Sequence, residues 1–272
     1  MNRVVVFSHF DKDNLIQDYV VYYLSKLKKI VGKIIFVSDC NVIDSELNKI
    51  RPYISNAIIG KHGEYDFGSY KRGYNFLLNN NLLNDCEELI FANDSCYAPL
   101  FPFENMFQEM EQRNVDFWGN TTNHSPTFGN IKHIQSYFIV FKPKVFSSDC
   151  FKNFILSVKK EETKEDIILN YECELTNTLN KSGFSWDVYC GLSKKYCDTQ
   201  VIFFKELIKQ NKSSFLKRNI PALQSKVGKM FFNINKFIKE NTDYQYNIEY
   251  QELNIEGFIK YFIKKYIIRR TF

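Results

Sequence analysis

The 272-residue chain is 44% hydrophobic and 17% aromatic but has only 11 Gly and 6 Pro, which suits one large core or one domain with a small appendage. That composition excludes a disordered or repeat-built chain. The formal charge is +5, of which residues 254–272 carry +4, so the body is nearly neutral and a nucleic-acid groove along the whole protein is excluded.

Seven cysteines, an odd number without C-x-x-C spacing, predict reduced thiols in a cytosolic compartment, with neither a disulfide framework nor a zinc site. The first apolar run, Val4 to Phe7, is too short for a secretory signal. No run approaches the ~18–20 apolar residues that span a bilayer, so the chain is expected to be soluble or to lie on a membrane surface.

In chain order, Arg3 to Phe7 is predicted as a strand, and Leu15, Ile16, Tyr19, Val20, Tyr23, Leu24 and Leu27 follow it at helical spacing. Between them, Ser8-His9-Phe10-Asp11 offers backbone donors, an imidazole and an aromatic face that suit a nucleotide base and its phosphates. The alternative is that Asp11 or Asp13 caps the helix. Lys33 to Val37 is a second strand, ending in Ser38-Asp39-Cys40, and Asn56 to Gly60 a third. Glu64 to Arg72 then combines two carboxylates, Gly68, Ser69 and the cations Lys71 and Arg72 just before a helix near Tyr70 to Asn80. An anion at that helix N-terminus would meet backbone N–H groups, with Lys71 or Arg72 available; a solvated turn is the other reading.

Glu88 to Ala92 is the fourth strand, and its apolar run ends abruptly in Asn93-Asp94-Ser95 before Pro99 stops regular structure. A buried parallel strand delivers a carboxylate to the carboxyl edge of its sheet in this way, and open α/β sheets bind ligands at that edge. Phe103 to Arg113 is helical, and Val115 to Trp118 and Ser136 to Phe141 are further strands. The β-α-β-α rhythm implies an α/β fold with a parallel sheet and helices on both faces, and the missing GxGxxG disfavours a dinucleotide site. Trp118 is either a sugar-stacking wall or a core residue. His133 and Gln135, two residues apart at the opening of the sixth strand, are expected to face one cleft.

Cys150 to Val158 and Glu165 to Lys181 read as helices, the second stopped near Gly183. Ile168, Glu172, Leu175 and Leu179 form one stripe on it, so Glu172 points with the apolar face. Such a carboxylate has a raised pKa and can act as a general base, unless a Lys or Arg pairs with it. A soft boundary near 215 divides a domain over 1–215 from a helical appendage over 216–272. In the appendage, Ile255, Phe258, Ile259, Phe262, Ile263, Tyr266 and Ile267 share a helical face opposite Lys260 and Lys264. That basic amphipathic helix suits either an anionic lipid surface or the main domain.

Five segments taken together resemble the rhamnan-synthesis F family, bacterial glycosyltransferases of cell-wall and O-antigen polysaccharide assembly. They are Phe7-Ser8-His9-Phe10-Asp11, Tyr65-Asp66-Phe67-Gly68-Ser69-Tyr70-Lys71, Asn93-Asp94-Ser95-Cys96-Tyr97, Asp116-Phe117-Trp118-Gly119 and His133-Ile134-Gln135-Ser136-Tyr137-Phe138. The resemblance runs from residue 3 to about 220 and includes Tyr171-Glu172 and Phe215-Leu216-Lys217-Arg218.

It implies a GT-A type nucleotide-diphospho-sugar fold, with a mostly parallel central sheet, and transfer of rhamnose from dTDP-L-rhamnose. The acceptor would be a growing glycan on a lipid carrier, and the protein would sit in the cytoplasm, peripherally on the inner face of the membrane. Ser8, His9, Phe10, Asp39, Asp66, Gly68, Ser69, Lys71, Asn93, Asp94 and Ser95 would then hold the donor, with Trp118, His133 and Gln135 on the substrate. Inversion at the anomeric carbon would need a base, and Glu172 is the candidate. One departure stands out: where such enzymes carry Asp-x-Asp, Asp94-Ser95 is followed by Cys96. Mg²⁺ or Mn²⁺ would rest on Asp94 alone, or cations such as Lys71 would neutralise the leaving diphosphate.

Overall fold

The structure, a computed structural model, describes residues 2–124, 131–191, 199–218, 233–246 and 248. The basic amphipathic stretch expected over 254–272 lies outside these residues.

Seven strands build the central sheet: β1 (Arg3–His9), β2 (Lys33–Ser38), β3 (Asn56–Ile59), β4 (Glu88–Asn93), β6 (Phe117–Gly119), β9 (Phe138–Phe141) and β10 (Trp186–Val188). Two-residue strands form two separate ribbons. In one, β5 (Cys96–Tyr97) pairs with β11 (Leu216–Lys217); in the other, β7 (Thr122–Asn123) pairs with β8 (His133–Ile134). The sheet order is β3-β2-β1-β4-β9-β6-β10. All of its pairings are parallel except those of β9, which runs antiparallel to both β4 and β6. The sheet is thus mostly parallel and α/β, as the β-α-β-α rhythm of the sequence implies.

Strands β1, β2 and β4 read as continuous apolar runs because both of their faces are covered. Val5, Phe7, Ile34, Phe36 and Ile90 pack on one side with α1 (Asp18–Leu27) and α4 (Phe103–Glu111). Val4, Val6, Ile35, Val37 and Phe91 pack on the other with α3 (Tyr65–Asn79) and the helix Asp149–Leu156. Gly73 lets α3 lie against β1, since a Cβ there would stand 2.2 Å from Val6 Cγ1.

Three local expectations are corrected. Helix α3 begins at Tyr65, five residues earlier than the periodicity suggests, so Glu64 to Ser69 is its cap and first turns, not a preceding loop. Residues 133–141 do not form one strand: His133–Ile134 leave the main sheet for the ribbon with β7. The helix expected over Glu165 to Lys181 is interrupted by a π-helical segment, Ile168–Cys173. That wider turn breaks the stripe, so Ile167, Tyr171, Leu175 and Leu179 are buried while Glu172 stands half-buried at its margin.

Cys40, Cys86, Cys96, Cys150, Cys173 and Cys190 are free thiols. No helix among the described residues is long and apolar enough to cross a membrane.

Candidate active site

The carboxyl ends of β1 and β4 lie side by side, with Ser8 opposite Asn93 in the parallel register. That pairing brings two sequence-distant loops to one edge. Ser8 Oγ donates to Asp66 Oδ1 at 3.0 Å, and Asn93 Nδ2 donates to Asp66 Oδ2 at 2.9 Å. Asp66, in the first turn of α3, therefore receives a donor on each oxygen and is fixed against both strand ends. Asn93 Oδ1 in turn accepts from Ser95 N at 3.1 Å and Ser95 Oγ at 2.6 Å, which turns the chain out of β4.

A small cleft of about 150 Å³ opens beside this network, lined by Tyr65, Asp66, Asn93, Ser95, Glu172 and Lys217, among others. Tyr65 has φ +55° and is 45% exposed. A bulky residue held in the left-handed region is strained, and strain of this kind gathers at functional sites. Glu172 reaches the cleft from the π-helical segment, and Ser136 N donates to its Oε1 at 3.2 Å. A carboxylate with one oxygen anchored by backbone can accept a proton from a bound hydroxyl.

His133 stands behind Glu172, fully buried, with Nε2 3.9 Å from Oε1 and 3.8 Å from Cys173 Sγ. Its Nδ1 lies 2.7 Å from the Ile131 carbonyl, which requires a proton on that nitrogen. Gln135 is buried too, its Oε1 accepting from Thr121 Oγ1 at 2.8 Å. The two residues do not face the cleft: both are buried, His133 against Cys173 and Gln135 against Thr121. Trp118 is likewise no sugar wall: it is 1% exposed and meets Phe107 edge-on at 5.2 Å in the core.

A larger cavity of about 910 Å³ lies on the other side of the β5–β11 ribbon. Phe10, Asp11, Tyr19, Lys49, Tyr97 and Arg218 are among its lining residues. Phe10 is 54% exposed there, and its N–H donates to Asp94 Oδ2 at 3.3 Å. Asp94 is buried, and burial raises its carboxyl to about 6, against the opposing pull of Arg218 and the Phe10 N–H. Arg218 Nη1 donates to the Asp94 carbonyl at 3.3 Å.

The other donor-binding candidates form a separate, closed cluster. Asp39 Oδ1 accepts from His62 N and, at 2.8 Å, from Gly63 N, which ties the loop after β3 to the end of β2. Ser69 is buried with its Oγ 3.1 Å from His62 Nε2. Lys71 Nζ and Arg72 Nη1 each lie 2.8 Å from Glu64 Oε2. Burial works to raise the Glu64 carboxyl, but these partners outweigh it and hold it at about 2. At Gly68 a Cβ would stand 2.2 Å from Glu64 Cβ, so this glycine serves packing within the cluster. His9 is buried with Nδ1 3.0 Å from Ser38 Oγ. Asp39, Gly68, Ser69 and Lys71 are thus placed away from the cleft: Asp39 holds the loop after β3, Gly68 and Ser69 turn toward Glu64 and His62, and Lys71 toward Glu64 and the Val158 carbonyl.

The groups around Asp94 do not compose a divalent-cation site. The Arg218 guanidinium acts on Asp94 together with the more distant Asp11 carboxylate, and Cys96, in the place of a second carboxylate, is turned into the core. No three His, Cys, Asp or Glu converge among the described residues. Lys217 and Arg218 are the residues that sequence reasoning passed over. The only signal was their place in the late segment Phe215-Leu216-Lys217-Arg218.

The chain is similar to a family model, to two curated proteins and to a solved structure. A family model described as rhamnan synthesis protein F matches residues 34–270. An uncharacterized protein of Sinorhizobium fredii, y4gN, is 27% identical over 191 residues, 70% of this chain and 48% of that protein. The virulence protein VirA of Vibrio anguillarum is 30% identical over 211 residues, 75% of this chain and 59% of that one. The chain therefore spans about half the length of the curated relatives it matches. Among solved structures, the Mn/GDP form of core-mannan synthase A from Aspergillus fumigatus aligns with a TM-score of 0.43 at 9% identity, over 70% of this chain and 73% of that one.

Proposed function

This chain belongs to the rhamnan synthesis protein F family, and from that premise we propose that it is a glycosyltransferase. It moves a sugar from a nucleoside-diphosphate donor to a hydroxyl of a growing glycan. The observation that carries this reading is the shared cleft: Asp66, Asn93 and Ser95 from the sheet edge face Glu172 from the π-helical segment across about 150 Å³.

In the proposed reaction the acceptor oxygen attacks the anomeric carbon while the bond from that carbon to the β-phosphate oxygen breaks. The bonding pair leaves on the diphosphate, and the hydroxyl proton passes to the Glu172 carboxylate. The displacement inverts the anomeric centre. Ser136 N–H fixes one carboxylate oxygen, so the base is oriented before the acceptor arrives. The family points to L-rhamnose from dTDP-L-rhamnose as the transferred sugar. It also points to a lipid-linked glycan as acceptor, and the basic amphipathic pattern of residues 254–272 would suit contact with anionic lipid.

The test is a calorimetric and thermal-shift screen of dTDP, UDP and GDP, followed by transfer assays with the nucleotide sugar that binds. Preferential dTDP binding supports the rhamnosyl donor, and binding of UDP or GDP alone keeps the transferase and replaces the donor. A chain that binds no nucleotide, and transfers nothing, overturns the proposal in favour of a non-catalytic glycan- or lipid-binding component.

A further inference from the structure

Tyr65 is pinned between two anchored carboxylates. Before it, Glu64 is held by Lys71 and Arg72, each 2.8 Å from its Oε2. After it, Asp66 takes a hydrogen bond from Ser8 on one oxygen and from Asn93 on the other. The backbone between them takes φ +55°, a conformation that strains a bulky side chain. No contact within the protein offsets that strain. Among the described residues no ring, cation or hydrogen-bonding group engages the Tyr65 side chain, which is left 45% exposed on the wall of the small cleft. Phe67 and Tyr137 also border the cleft, but both are buried, so the aromatic surface open to a ligand there is that of Tyr65.

The polar wall of the cleft is fixed before any ligand arrives. Ser95 Oγ donates to Asn93 Oδ1 at 2.6 Å, and Glu172 Oε1 accepts from Ser136 N at 3.2 Å. The lone pairs of Ser95 Oγ and the second Glu172 oxygen can still accept from a ligand's hydroxyls. An aromatic face beside fixed acceptors matches a pyranose, which presents C–H groups on its face and hydroxyl donors at its rim. Size points the same way: about 150 Å³ lies below the about 300–1,000 Å³ of sites that enclose larger ligands, so the cleft takes one sugar ring and not a nucleoside diphosphate. Resting on the transferase reading above, we propose that the Tyr65 ring packs on the C–H face of the donor's sugar, and that its strained backbone is kept because it holds the ring there. The aromatic wall expected of Trp118 is thus supplied by the first turn of α3.

The experiment is isothermal titration of the full chain, in buffer containing Mg²⁺, with dTDP-L-rhamnose, UDP-glucose and GDP-mannose, each beside its sugar-free nucleoside diphosphate. The nucleotide sugar that the wild type binds should bind Tyr65→Ala about tenfold more weakly, while the sugar-free diphosphate binds both proteins alike. Tyr65→Phe keeps the ring and should bind like the wild type. Tyr65→Gly, which suits φ +55°, should lose the same sugar-dependent affinity without lowering the urea midpoint. Undiminished binding of the nucleotide sugar by Tyr65→Ala overturns the inference and leaves the transferase reading intact. An equal loss for the sugar-free diphosphate also overturns it, since the ring would then serve the nucleotide. A Tyr65→Gly chain that is destabilised yet binds like the wild type makes the residue structural, with the same result. Should Tyr65→Ala fail to fold, Tyr65→Gly carries the comparison. A wild type that binds neither a nucleotide sugar nor a nucleoside diphosphate removes the transferase reading and this inference with it.

Discussion

Two clusters of carboxylates stand at the same sheet edge and behave differently. Around β2 and the start of α3, Asp39, Glu64, His62, Ser69, Lys71 and Arg72 satisfy one another. Around β4, Asp66, Asn93, Asp94 and Glu172 are anchored by donors from backbone and neighbouring strands, yet three of them border open space. The first cluster closes a loop; the second leaves a cleft. A run of polar residues at the end of a strand therefore does not mark a site by its composition. What distinguishes the site is a polar group held on one side and open on the other.

Variants that separate stability from transfer test this contrast. The largest effect is expected at Glu172. Glu172→Gln should lower the transfer rate by about 10²–10⁴-fold while leaving nucleotide affinity and the melting midpoint unchanged, as steady-state kinetics and titration would register. Normal transfer by this variant would remove Glu172 as the base.

Next comes the closed cluster, where the effect should fall on stability alone. Gly68→Ala drives a Cβ into the Glu64 side chain and should cost about 1–3 kcal/mol in urea unfolding, with unchanged nucleotide affinity. Glu64→Gln should cost on the order of 1–2 kcal/mol at pH 7, after allowance for its partial exposure. The native carboxyl sits at about 2, below its unfolded value, so its contribution is present at neutral pH and is lost as pH falls toward 2. The two unfolding curves should converge there.

The smallest expected effect has the opposite sign. Asp94 is raised to about 6 by burial, so its stabilising contribution is complete below its unfolded value near 4 and is lost as pH rises through 6. Asp94→Asn should therefore stabilise the protein by about 1 kcal/mol at pH 7, part of the gain being offset by a weaker acceptor for the Phe10 N–H. The gain should vanish near pH 4, and a constant difference across that range would contradict the burial of this carboxylate.

The left-hand half of the sheet was legible because its strands are buried on both faces. Continuous apolar runs such as Val4 to Phe7 and Leu89 to Ala92 mark strands within two residues of their true ends. The convergence of Ser8, Asp66, Asn93 and Ser95 followed from strand ends meeting at one edge. The rest depended on information that spacing does not hold. The π-helical segment changes the helical period, so the stripe that picked out Glu172 was broken, although the residue still reaches the cleft. Trp118 is a core residue because β6 lies inside the sheet, and His133 left the sheet through a ribbon two residues long. Lys217 and Arg218 gave no periodic signal at all, since their placement comes from a two-residue pairing with a distant segment.

That pairing also has a consequence in time. Asp94 and Arg218 are 124 residues apart in the chain, yet they share a hydrogen bond at the site. As the chain leaves the ribosome, β1, β2 and β4 can assemble as soon as residue 93 has emerged. The edge gains its cations only when residues 216–218 return to close the ribbon, at the entropic cost of a long loop. A nascent chain stopped short of Leu216 would carry much of the sheet and the Asp66 network without either basic side chain, so this edge would reach its final charge last.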